Sequence, residues 1–111
     1  MRASNVPRVE FRNDAEHARY VLEDEGRVVA FTEYQDRQDH LIFPHTEVDP
    51  AYEGQGLAGT LVRQALDDVR ALGRKIVPAC AFVRGYIDRH PEYGDLVDHE
   101  LLNRYIRELG G

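Results

Sequence analysis

Six residues constrain this chain more than any others: Gly54-Gln55-Gly56-Leu57-Ala58-Gly59, a glycine-rich turn between an apolar strand-like run and a long amphipathic helix pattern. A turn of this kind at a helix start leaves main-chain N–H groups without carbonyl partners. The helix dipole adds partial positive charge at the same point, so the terminus suits a phosphate or a pyrophosphate. Gly54 and Gly56 have no Cβ to hold an anion's oxygens away from the backbone. The chain is thus read around one strand–turn–helix unit whose turn is open to a ligand.

The same string satisfies the G-x-G-x-x-G dinucleotide fingerprint, which also needs an acidic residue about twenty positions later for the ribose. Here that position falls in Lys75-Ile76-Val77-Pro78-Ala79-Cys80, which has no carboxylate. A chain of 111 residues is also too short for two mononucleotide-binding halves. A nicotinamide dinucleotide is excluded.

The remaining elements follow from patterning. Val9-Glu10-Phe11 and Arg19-Tyr20-Val21-Leu22 read as short strands, and the turn Glu23–Gly26 closes a hairpin onto Val28–Tyr34. Gln35–Asp39 is a polar loop. Leu41–Val48 returns as a strand in which Pro44 cannot donate to a ladder, so a bulge is expected there. Such a bulge shifts the facing of His45 and Glu47 relative to Leu41 and Phe43. Leu57, Leu61, Ala65, Leu66, Val69 and Leu72 recur at helical spacing, with Gly73 as the stop and Arg63, Asp67, Arg70 and Arg74 on a solvated face. Lys75–Val83 is read as a strand containing Pro78, and Arg84–Arg89 as a short helix closed by His90-Pro91. Asp98 caps a final helix that carries Leu101, Leu102, Tyr105, Ile106 and Leu109.

Composition bounds the partners. Hydrophobic residues at 42% and charged residues at 31% describe one ordinary globular domain, large enough for a core without disulfides or structural metal. One cysteine excludes an intrachain disulfide and a multi-cysteine zinc site, and the five histidines form no metal-binding pair, so no metal is expected. A net charge of −6 argues against nucleic acid as the main partner. No run approaches membrane-spanning length and Met1–Pro7 has no apolar core, which makes the cytoplasm the expected location. Residues 1–7 are read as a flexible terminus, 8–95 as the functional domain, and 96–111 as an added helix on that domain or at a dimer interface; the protein is expected to be a monomer or homodimer.

Besides the turn itself, three segments in order carry a resemblance: His45-Thr46-Glu47-Val48 before the turn, then Val77-Pro78-Ala79-Cys80 and His90-Pro91-Glu92-Tyr93 after the helix. The turn resembles the acetyl-CoA pyrophosphate loop of the GNAT N-acetyltransferase superfamily, Arg/Gln-x-x-Gly-x-Gly/Ala, with Gly56 and Ala58 at its small positions. Glu53 departs from the pattern, standing where the family has Arg or Gln. Over residues 8–95 the chain is similar to the short, cysteine-containing branch of that superfamily. The resemblance implies a mixed α/β (α+β) fold: a mostly antiparallel sheet whose central parallel strands splay apart, one main helix after the glycine turn, a short helix, and an added C-terminal helix. It also implies acetyl-CoA as co-substrate, held at Gly54, Gln55, Gly56, Leu57, Ala58 and Gly59, with the pantetheine along the main chain near Val48.

Few side chains are candidates for chemistry. Cys80 is a buried small hydrophobe by base rate; the resemblance puts it beside the acetyl group. His45 is its natural partner, since an imidazole titrates near neutrality and accepts a proton from an ammonium or a thiol. Glu47 is a second candidate base, and Tyr86 and Tyr93 are candidate acids for the departing CoA thiolate. The function implied is acetyl transfer from CoA to a primary amine of unspecified identity. The alternatives are a non-catalytic acyl-CoA-binding or regulatory module, and a protein-interaction domain that uses the last helix.

Overall fold

A computed structural model of the chain describes residues 8–110, and the terminus read at residues 1–7 lies outside the described residues. Four antiparallel strands come first: β1 (Glu10–Asp14), β2 (Arg19–Asp24), β3 (Arg27–Asp36) and β4 (His40–Val48). The β2–β3 hairpin turns on Glu25 and Gly26, both with positive φ (52° and 80°), the geometry whose twist matches paired strands. Next come a 3₁₀ turn at Pro50–Tyr52 and helix α1 (Leu57–Ala71), which returns the chain to strand β5 (Lys75–Val77), parallel to β4. Helix α2 (Ala81–Arg89), a 3₁₀ segment at Pro91–Leu96 and helix α3 (His99–Gly110) complete the order. The sheet runs β1-β2-β3-β4-β5. The fold class read from the sequence is the one observed.

One face of the sheet carries the core. Leu57, Leu61, Ala65, Leu66 and Val69 of α1 pack on Tyr20, Leu22, Ala30 and Phe43 from the strands. The Tyr20 hydroxyl donates to Asp68 at 2.6 Å and the Tyr93 hydroxyl to Asp67 at 2.7 Å. The rim of α1 read as solvated is therefore tethered: Arg70 pairs with Asp95 and lies over the Tyr93 ring, and Arg74 reaches Asp36. Helix α3 covers part of the other face, where Leu101 and Tyr105 stand over Ile42 and Val77. The Asp98 carboxylate accepts the Leu101 N–H at 3.0 Å, as its capping role requires. No helix among the described residues is long and apolar enough to cross a membrane.

Two readings need correction. The strand expected over Lys75–Val83 stops at Val77, because Pro78 cannot donate to a ladder and Ala81 already opens α2. Cys80 is consequently the N-cap of a helix, with extended backbone (φ −74°, ψ 130°), and not the end of a strand. The first strand begins later and runs further than Val9–Phe11, since Arg12, Asn13 and Asp14 pair with Val21, Tyr20 and Arg19. The segment between the last two helices, Pro91–Leu96, is a 3₁₀ helix that buries Tyr93 and Leu96; Val97 after it bridges Ile76, adding one residue to the sheet beyond β5.

Candidate active site

The glycine turn is held from both sides. The Asp49 carboxylate accepts the Ala51 N–H at 2.9 Å, and the Tyr52 hydroxyl donates to Asp24 at 2.6 Å, fixing the approach to Glu53. Gly54 (φ 82°) and Gly56 (φ 74°) then adopt left-handed backbone that a side chain would strain, and a Cβ built on either would meet only open space. Gly56 is the N-cap of α1 and supplies no capping side chain, and the first turn carries no acidic residue. Thr60 makes the first helical bond, to the Gly56 carbonyl at 3.1 Å, so the Leu57, Ala58 and Gly59 amides stand ahead of the ladder. A helix normally satisfies such donors with Ser, Thr, Asp or Asn. This one leaves them to the cleft in front.

That cleft has a volume of about 370 Å³ and runs between Tyr52, Glu53, Gly54 and Gly56–Gly59 on one side and Thr46, Glu47 and Val48 on the other, with Phe82 of α2 at its side; Gln55, read with the turn, is not in its lining. Its β4 wall is available because β4 and β5 pair only over His40–Ile42 and Lys75–Val77. The strands part there. Beyond the last pair, the Cys80 N–H reaches back to the Phe43 carbonyl at 2.7 Å, while β4 continues to Val48 paired with β3 alone, its other edge free of any strand among the described residues. Pro44 and Pro78 stand where the parting occurs.

The expected bulge is present on β4. Glu33 pairs with His45 and Gln35 with Ile42, so Phe43 and Pro44 together oppose Tyr34. The extra residue changes the facing of everything after it. Leu41 and Phe43 face the core before the bulge; Thr46 and Val48 face that side after it, and His45 and Glu47 face the other. On the helix side, the Cys80 thiol donates to the Thr46 hydroxyl at 3.6 Å, and Thr46 lies 2.8 Å from the hydroxyl of Thr32. On the open side, His45 Nε2 lies 2.9 Å from Glu47, and its ring leans on Phe31, over which Arg19 is stacked.

The structure therefore does not bring His45 and Cys80 together; the sheet stands between their side chains. Of the two tyrosines, Tyr93 commits its hydroxyl to Asp67, whereas Tyr86 stacks on His90 at 4.1 Å, touches the Gly59 position, and has no hydroxyl partner among the described residues. Burial raises the Tyr86 phenol above its ordinary value, and burial with the Asp67 bond pushes Tyr93 up to about 12. Glu53 is exposed at the mouth of the cleft, and no Lys or Arg among the described residues lines that cleft. Thr32 and Thr46 were not singled out by sequence reading. The signal was available: once a bulge is placed at Pro44, Thr46 falls on the helix side with Cys80.

An uncapped helix start facing a gap between two parting parallel strands is the framework of an acyltransferase. The family model described as GCN5-related N-acetyl-transferase matches residues 19–96, more than half of the chain. The protein belongs to that family. No match was found among curated proteins.

Proposed function

We propose that the protein moves an acetyl group from acetyl-CoA to a primary amine. The observation that carries this reading is the uncapped start of α1, which faces a cleft along an unpaired strand edge leading toward Cys80. The pyrophosphate sits on the amides that follow Gly56, and the pantetheine pairs with the β4 main chain near Val48 as an added strand. The thioester carbonyl then lies in the gap beyond Ile42 and Val77, near the Cys80 sulfur.

The amine enters from the open face, where the His45–Glu47 pair stands half-exposed, with side chains 52% and 61% accessible. His45 takes the proton that the ammonium must lose before its nitrogen can attack. In direct transfer the nitrogen forms a bond to the acetyl carbon, the carbon–sulfur bond to CoA breaks, the thiolate takes a proton from Cys80 or from the Tyr86 hydroxyl, and the surplus proton on the acetylated nitrogen returns to that donor through solvent. In the covalent route the Cys80 thiolate attacks first, releases CoA as its thiolate, and passes the acetyl group to the amine in a second step.

Titrating CoA into isotope-labelled protein tests the first requirement. Amide signals from Glu53 to Leu61 should move most; movement confined to another region would sink this placement of the cofactor.

A further inference from the structure

Both parts of Cys80 are held by β4: its amide by the Phe43 carbonyl at 2.7 Å, its sulfur by Thr46 at 3.6 Å. Thr46 is in turn held by Thr32, whose side chain lies in the core at 0% exposure and reaches the His45 carbonyl at 3.4 Å. We propose that Thr46, kept in orientation by Thr32, is the positioning residue for the Cys80 sulfur and holds it ready to carry negative charge. The proposal rests on reading Cys80 as the group beside the acetyl carbon.

The hydrogen count supports it. With the thiol protonated, the bonds run one way: S–H to Thr46, Thr46 O–H to Thr32, Thr32 O–H to the His45 carbonyl. When the sulfur carries charge, Thr46 turns its O–H onto it and Thr32 donates to the oxygen of Thr46 instead, across the same 2.8 Å. Neither arrangement leaves an O–H idle, and neither moves the backbone. An O–H donated to a charged sulfur is stronger than an S–H donated to a neutral oxygen, so the network stabilises the charged form more. The chain of bonds ends on a main-chain carbonyl, which accepts a hydrogen bond but takes up no proton. Its part is orientation and charge stabilisation, not proton transport. The β4 bulge makes this possible, because without it Thr46 would face away from the sulfur.

Cys80 is the sole cysteine of the chain, so alkylation by iodoacetamide reports on this sulfur alone. Thr46→Val keeps the side-chain shape and removes the hydroxyl; Thr46→Ser keeps the hydroxyl. At neutral pH the valine variant should alkylate about tenfold more slowly, the scale of one lost hydrogen bond to a charged group. The serine variant should alkylate close to the wild-type rate, and Thr32→Val should fall between them. Should valine disturb folding, Thr46→Ala removes the same hydroxyl with less bulk and is compared with serine in the same way. Wild-type alkylation in the folded valine or alanine variant would overturn the proposal, as would a serine variant as slow as they are. The measurement uses no acetyl-CoA, so failure of CoA to bind counts against the transferase reading and leaves this result interpretable.

Discussion

Ile42 and Val77 are the last partners of the only parallel ladder among the described residues, and a proline follows each within two positions. Neither Pro44 nor Pro78 can donate a main-chain hydrogen bond, so the pair cannot continue as a regular ladder. The parting of β4 and β5 is thus written into the backbone and needs no ligand to hold it open.

The glycine turn should fail first when it is charged. Gly56→Asp places a carboxylate and a Cβ at a left-handed residue beside the exposed amides, and CoA affinity measured by calorimetry should fall at least about tenfold. Glu53→Arg should act in the opposite sense, removing a repulsion and supplying a charge-assisted donor. Unchanged affinity in a folded Gly56→Asp protein would move the cofactor elsewhere.

Cys80 separates an enzyme from a binding module. Acetyl-CoA alone should leave a hydroxylamine-labile thioester on Cys80 if transfer is covalent. If transfer is direct with Cys80 as the acid, Cys80→Ala and Cys80→Ser should bind CoA normally, form no adduct, and lose roughly 10²–10⁴-fold in turnover. Wild-type turnover of Cys80→Ala on a true acceptor would make the thiol a packing residue.

Much of this is legible in the sequence. The strand–turn–helix junction, the order of elements, the bulge at Pro44 and the Asp98 cap all have local causes that a sequence displays: glycine, proline and a capping carboxylate at fixed offsets. The misreadings share a cause as well. Lys75–Val83 is apolar enough for a strand, and only Pro78 betrays that the ladder stops; the helix beginning at Ala81 had no capping side chain to announce it. The side chain beside the Cys80 sulfur is Thr46, and His45 stands on the other face of β4. His45 has the more conspicuous chemistry, but which of His45 and Thr46 faces the sulfur depends on one inserted residue, and facing is a tertiary fact.

Two buried groups, Asp14 and Tyr20, make stability depend on pH in opposite ways. Asp14 is 4% exposed and accepts bonds from His17 and Arg19, which hold its carboxyl below the usual carboxylate range. Its contribution is present at neutral pH and is lost as pH falls below about 4. Asp14→Asn should therefore melt below the wild type at pH 7, with the gap closing in acid. Tyr20 behaves oppositely: burial, then its bond to Asp68, raise its phenol above the ordinary value. That contribution is whole below about pH 10 and fades above it, so Tyr20→Phe should flatten the alkaline limb. Parallel thermal-melt profiles for wild type and either variant would refute the corresponding assignment.

Removing α3 from His99 onward keeps Val97 on Ile76 and the Asp98 N–H on the Ile76 carbonyl. It uncovers the outer faces of Ile42 and Val77 and the seat of Leu102 against the core. Denaturant titration should show a loss of about 2–4 kcal/mol. CoA binding should survive in the folded remainder, since no described side chain of α3 lines the cleft. Loss of binding there would show that α3 builds the site.

The brevity of β5 also sets which part of the molecule opens first. Strands β1 to β4 form a meander in which each strand pairs with its chain neighbour over five or more positions, whereas β5 is fastened to it by three. Amide protons of Lys75–Val77 and Cys80 should exchange with solvent through a partial opening that leaves the meander closed, at a lower free energy than global unfolding. An acyl-CoA seated as proposed would then have a way into the gap by a local excursion of β5 and the segment after it. The frame that holds Thr32, Thr46 and the bulge stays shut throughout.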